Sequence, residues 1–97
     1  MRGPMTMSDE IDIFLGRRLR RRRRLLGLTQ EQIAGACGVR FQQIQKYECG
    51  ANRMSAARLW RLSQALEVPV AYFFDGLPPT RRALGLDRGA SRQSDAA

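Results

Sequence analysis

Between Thr29 and Tyr47 small or apolar residues fall at Ile33, Ala34, Cys37, Val39, Ile44 and Tyr47, among others, and Gly38 falls where the first spacing breaks. Ile33 and Cys37 lie one helical turn apart, as do Ile44 and Tyr47. The stretch therefore predicts two short helices, each with a narrow inward stripe and a polar outward face. Gly38 supplies the turn between them, because glycine enters the left-handed region at little steric cost. Ala34 stands where the two helices cross, and a larger side chain there would push them apart. Helices this short do not hold on their own, so the flanking segments must complete a core.

The flanks carry three more helical patterns. Upstream, Leu15, Leu19 and Leu26 recur at spacings of a first helix, with Ser8 and Asp9, or Asp12, as candidate caps. Gly27 ends that helix. Thr29 and Gln32 then form a capping box for the second helix, which runs to Cys37. The third spans about Phe41 to Glu48 and stops at Gly50. After a polar loop, Ala51 to Met54, Ser55 caps a fourth helix with Leu59, Leu62 and Leu66 inward and Trp60 at its edge. Val68 precedes Pro69, so the fourth helix ends there. Pro69 suits the first turn of a fifth, VAYFF, which Gly76 terminates. The expected organisation is all-α: a loose leader over residues 1–8, a five-helix domain over 9–76, and a disordered basic tail over 77–97.

Composition then narrows the chemistry. The 97 residues hold 17 basic and 9 acidic side chains, a formal net charge of +8, and no histidine. A domain of roughly 60 to 70 residues buries about 60% of its unfolded surface, which leaves little room for a deep catalytic cleft. A small, strongly basic chain meets a polyanion, either nucleic acid or an anionic membrane surface. Arginine accounts for 16 of the 17 basic residues. Codon bias explains part of that richness but not the clustering of Arg17, Arg18, Arg20, Arg21, Arg22, Arg23 and Arg24. On a helix these spread around most of the circumference, and three readings stay open: a solvated face, phosphate contacts, or a lipid-surface contact. Arg22 and Arg23 fall on or beside the apolar stripe, where an unpaired charge is costly, so at least one needs a buried partner or must snorkel outward. Glu48 is the candidate partner. Cys37 and Cys49 match no metal or redox spacing, and no cofactor, metal or small-molecule ligand is expected. Without a signal peptide or a membrane-spanning run, a cytoplasmic location is expected.

A helix that reads DNA must present donors and acceptors to base edges in the major groove. The outward side of the third helix offers Arg40, Phe41, Gln42, Gln43 and Lys46. Glutamine pairs with adenine, arginine or lysine with guanine, and a phenylalanine edge packs on a thymine methyl. The same polar side chains also suit phosphate. Gln45 lies further round the helix and is set apart from these. Gln30, at the first turn of the second helix, is placed with the free backbone N–H groups there to hold a phosphate. Asn52 and Arg53 in the following loop are placed to grip another.

These residues together resemble a known family, the phage repressor and Cro type of helix-turn-helix, also called XRE. The likeness covers about Asp12 to Gly76 and rests on LLGLTQEQIA, the Gly38 turn, QKYECGANR and RLWRLSQALEVPVAYFF. The last two blocks look especially like small alphaproteobacterial members. The resemblance implies a lambda-repressor-like, five-helix DNA-binding domain. It implies a homodimer on double-stranded DNA, with one recognition helix per half-site of a near-palindromic operator, most often as a repressor. By position it places the phosphate-binding glutamine on Gln30, base-reading positions on Arg40 to Gln43 and on Lys46, and an ion pair on Arg23 and Glu48. Two departures stand out. Relatives often carry a capping Ser or Thr where Arg40 stands, which forfeits about 1 kcal/mol here. They are often apolar at position 22, where Arg22 implies looser packing or an extra phosphate contact.

The expected function is thus a dimeric, sequence-specific transcriptional regulator. Tyr72, Phe73, Phe74 and Leu77 concentrate near the expected dimer surface, with Phe73 or Phe74 needed to close the core. Two rivals remain. One is an antitoxin-type partner of a toxin, and the other is a sequence-independent nucleic-acid binder driven by the arginine run. An enzyme is the least favoured reading, and none is expected, for want of a histidine, a metal cluster or a nucleophile with a base.

Overall fold

The chain folds around three apolar contributions from its first helix region, its paired short helices and its fourth helix, seen in a computed structural model that describes residues 7–78, with side chains from residue 10. Most of the leader and of the tail, both expected to be disordered, lie outside the described residues. Helix α1 spans Met7–Leu25. It begins before Ser8, Asp9 and Asp12, so none of these is its cap residue, and Asp12 instead approaches Arg53 at 3.6 Å. Leu15 and Leu19 are buried as expected. Leu26 is not, because the helix ends one residue earlier and Gly27 turns the chain at φ 72°.

Helix α2 spans Gln30–Cys37, with the predicted capping box complete: the Gln32 N–H donates to Thr29 Oγ1 at 3.0 Å, and the Thr29 N–H donates to Gln32 Oε1 at 2.8 Å. Gly38, at φ 71°, closes it in the left-handed conformation expected of the turn. Helix α3 spans Phe41–Glu48, and helix α4 spans Ala56–Leu66 behind its Ser55 cap. Ile33, Ala34, Cys37, Ile44, Tyr47, Leu59, Leu62 and Leu66 join Leu15 and Leu19 in one core, completed by Met54 and Phe73. Trp60 stays 58% exposed.

The fifth helix is a correction. Val70–Phe74 is a single 3-10 stretch, so the described residues hold four α-helices and no strand. Pro69 precedes it as the cap residue, and Gly76, at φ 99°, lies just beyond. Five residues are too few to nucleate a stable α-helix, whereas i to i+3 bonds such as Tyr72 N–H to the Pro69 carbonyl (2.9 Å) close a turn and carry Phe73 into the core.

Gly16 does what the periodicity did not foresee. A Cβ there would overlap the Tyr47 carbonyl oxygen and lie 2.9 Å from that of Glu48. Helix α1 therefore meets the C-terminal end of α3 backbone to backbone. This contact sets how α3 stands on the rest of the domain.

Candidate nucleic-acid interface

Helix α3 is fixed by one side and open on the other. Ile44, Tyr47 and Glu48 are buried, whereas Gln42, Gln45 and Lys46 are exposed. The positions i, i+3 and i+4 share one face of a helix, so these three side chains form a single outward row. Gln43 is half-buried at its margin, and Arg40 is exposed at the start of the helix. Two placements differ from the sequence reading. Phe41 is half-buried and packs against the core, one turn before Ile44, which leaves less of its ring to face outward. Gln45, set apart by the sequence reading, stands in the outward row, and its spacing of three from Gln42 was the available signal.

Arg40 occupies the cap position of α3 with extended backbone (φ −81°, ψ 153°) and no side-chain cap bond. The missing cap expected there is therefore missing in the structure as well. At the other end, the carboxylate of Glu48 is a hub. Arg23 Nε donates to its Oε2 at 2.6 Å and Arg23 Nη2 to its Oε1 at 3.1 Å, while Arg23 Nη1 reaches the Leu28 carbonyl at 2.8 Å. The side chains of Arg23 and Glu48 are 12% and 5% exposed, so the pair is largely shielded from water. Gln30 Nε2 donates to the same Glu48 Oε1 at 3.0 Å. One carboxylate thus ties α1, the start of α2 and the end of α3 together, and the Gln30 amide keeps its second N–H for another acceptor.

The loop after α3 is also anchored. The Asn52 N–H points back to the Lys46 carbonyl at 3.4 Å, and exposed Arg53 lies 3.6 Å from the Asp12 carboxylate. Arg22, for which looser packing or a phosphate contact was expected, is half-buried and tied to the fourth helix. Its Nε donates to the Leu66 carbonyl at 2.9 Å, at the C-terminal end of α4, where a cation meets the negative end of the helix dipole. Arg18 makes the matching contact further along. Its Nε donates to the Tyr72 carbonyl at 2.9 Å, its guanidinium lies 3.9 Å from the Tyr72 ring centroid, and the Tyr72 hydroxyl returns a bond to the Arg18 carbonyl at 3.0 Å. Tyr72, placed by the sequence near the expected dimer surface, is held by α1, and of Tyr72, Phe73 and Phe74 it is Phe74 that stands outward at 41% exposure.

Of the two free thiols, Cys37 is buried and Cys49 is exposed at the end of α3. Burial pushes the Cys37 thiol up from its ordinary value, against the opposing pull of Arg58 and Arg61. No group of three or more metal-ligating side chains occurs among the described residues. No helix among them is long and apolar enough to cross a membrane.

Comparison with known proteins agrees with the geometry. A model of the Helix-turn-helix family matches residues 19–73. An uncharacterized HTH-type transcriptional regulator of Sinorhizobium fredii is 45% identical over 87 residues, covering 90% of this chain and 59% of its own length. One from Sinorhizobium medicae is 53% identical over 70 residues, covering 72% of this chain and 50% of its own. The chain thus spans about half of the curated relatives it matches. Among solved structures, the restriction-modification controller protein C.AhdI from Aeromonas hydrophila superposes with a TM-score of 0.63 at 28% identity, over 65% of this chain and 96% of that one.

Proposed function

We propose, from the premise that the chain belongs to the XRE-type helix-turn-helix family of transcriptional regulators, that it binds a specific DNA operator through α3. The observation that carries this reading is the outward row of Gln42, Gln45 and Lys46 on a helix whose opposite face is locked into the core. Inserted in the major groove, glutamine amides pair with adenine edges and Lys46 with guanine or phosphate. Arg40 and Gln43 flank the row and reach the neighbouring base pairs, and Phe41 offers its exposed edge to a thymine methyl. Gln30 holds a phosphate with its second amide N–H and the free backbone N–H groups of α2. Asn52 and Arg53 grip the next phosphate, and these contacts set register rather than sequence.

The operator is near-palindromic, the protein binds it as a homodimer, and occupancy represses transcription. Support for a dimer comes from the outward patch around Phe74, Pro69 and Ala71. Sedimentation of the full chain should give twice the monomer mass, and a monomer on a single half-site would overturn the dimer.

Genome-wide mapping of bound DNA supplies the operator and its half-site spacing, after which three variants test the roles. Gln42→Ala should relax base preference by about 1–3 kcal/mol at one position, whereas Gln30→Ala should weaken binding to all sequences alike. Arg40→Ser restores a cap worth about 1 kcal/mol of stability while weakening operator binding. Equal loss across all sequences for Gln42→Ala would remove α3 from the role of reader.

A further inference from the structure

The seven-arginine run of α1 divides by helical phase, and four of the seven pair with no other described residue. Arg18, Arg22 and Arg23 turn inward to the carbonyls and carboxylate described above. Arg17, Arg20, Arg21 and Arg24 share the opposite face and are exposed, with the 68% exposed Leu25 beside them. Among the described residues none of these four has an ion-pair or hydrogen-bond partner. Three of the described acids near α1 face other partners, Asp12 near Arg53, Glu48 on Arg23 and Asp75 at 3.8 Å from Arg18. The four stand at spacings of three and four, where like charges repel, so the row costs the folded chain stability.

We propose that this outward face of α1 is a second DNA-binding surface, one that takes the phosphate backbone of a duplex other than the one beneath α3. The inference rests on the DNA-binding reading above. Four guanidinium groups over roughly 10 Å of helix face a duplex that carries about one phosphate per 1.7 Å of axis, so charge is matched along the whole row. All four are arginines, whose planar fork suits phosphate oxygens. A lipid surface fits less well, because an interfacial helix needs an apolar face, and that of α1 is spent in the core through Leu15 and Leu19. The duplex is a separate one because α1 and α3 both turn their inner sides to the same core. Each keeps an outward face of its own, and the face from Arg17 to Arg24 is the one assigned the second duplex.

The test loads the full chain onto an immobilised duplex of mixed sequence, washes, and offers a second, fluorescent duplex across a range of salt. Loading and capture are read separately. The wild-type chain should load and then capture, with a capture step whose log–log salt slope is about 3 to 4. R17Q/R20Q/R21Q/R24Q should load yet capture about tenfold less or lower, and the fourfold Lys variant should restore most of the capture. Failure of the wild type to load would count against DNA binding itself. Loading without capture by the wild type, or undiminished capture by the Gln variant, would overturn the second surface, the latter because two reading heads of a dimer would then suffice as the bridge. If the Gln variant instead loses binding to anionic phospholipid vesicles while capture persists, the face belongs to a lipid surface and the proposal fails.

Discussion

The two faces of α1 carry the same residue type to opposite ends. On the inner face, Arg18 and Arg22 each cap a backbone carbonyl at the end of another element, and Arg23 caps the Leu28 carbonyl while forking onto Glu48. On the outer face, Arg17, Arg20, Arg21 and Arg24 are exposed beside one another and pair with no other described residue. What differs is not the side chain but what stands across from it. A guanidinium against the carboxyl end of a helix meets the negative end of a dipole in a partly dry setting, where a hydrogen bond from a charged donor contributes most. The same group a third of a turn further round meets another guanidinium.

The sharpest way to break this comparison is at Arg23. Arg23→Ala leaves the Glu48 carboxylate buried with the Gln30 amide as its remaining partner, and loss of one partner of such a pair costs about 3–5 kcal/mol. For a domain of this size each kcal/mol moves the midpoint by about 4–8 °C, so thermal unfolding should show a fall well above 10 °C. Arg23→Lys should recover only part of it, because one ammonium cannot fork onto the carboxylate and reach the Leu28 carbonyl as well. An unchanged midpoint for Arg23→Ala would mean that the inner pair contributes nothing.

Arg22 is the intermediate case. Its contact is one charged hydrogen bond to a terminal carbonyl, and Arg22→Ala should cost about 1.5–3 kcal/mol. Arg22→Leu should cost less, since an apolar side chain at a half-buried position beside Leu66 replaces packing that the arginine stem provided. If the two variants unfold together, the hydrogen bond carries the whole effect. If Arg22→Leu matches the wild type, the stem does.

Much of this was readable in the residues themselves. The capping box at Thr29, the Gly38 turn and the buried row of the fourth helix follow from local pattern, because each is fixed by side chains close in sequence. The cost of an unpaired charge on the apolar stripe pointed to Glu48 but left Arg22 and Arg23 open, and the family resemblance selected Arg23. What escaped depends on the third dimension. Arg18 was not distinguished within the run, since its partner Tyr72 lies 54 residues away and its phase was blurred by counting Leu26, which lies beyond the helix, as core. Gly16 gave no periodic signal, because a close backbone approach leaves no apolar mark. The 3-10 stretch read as a helix because composition does not distinguish a tight turn from an α-helix over five residues. At the interface, Gln45 was recoverable from its spacing to Gln42, whereas the inward lean of Phe41 follows from packing.

The smallest expected effect has the opposite sign and is therefore the most discriminating. Arg17, Arg20, Arg21 and Arg24 form like-charged neighbours at 17 and 20, 17 and 21, 20 and 24, and 21 and 24, each of which destabilises a helix by roughly 0.2–0.5 kcal/mol. Replacing all four with glutamine keeps helix propensity nearly constant and removes every one of these repulsions, so denaturant unfolding at low salt should show a gain of about 1 kcal/mol. Added salt screens exposed charges beyond roughly 10 Å at 0.1 M and less than that at higher concentration, so the gain should shrink as salt rises. A variant less stable than the wild type would show that an outer arginine has a partner within the chain after all, and the division of α1 into a structural and an outward face would have to be redrawn around it. A gain that ignores salt would trace the change to helix propensity instead of charge, and the cost attributed to the outer row would disappear.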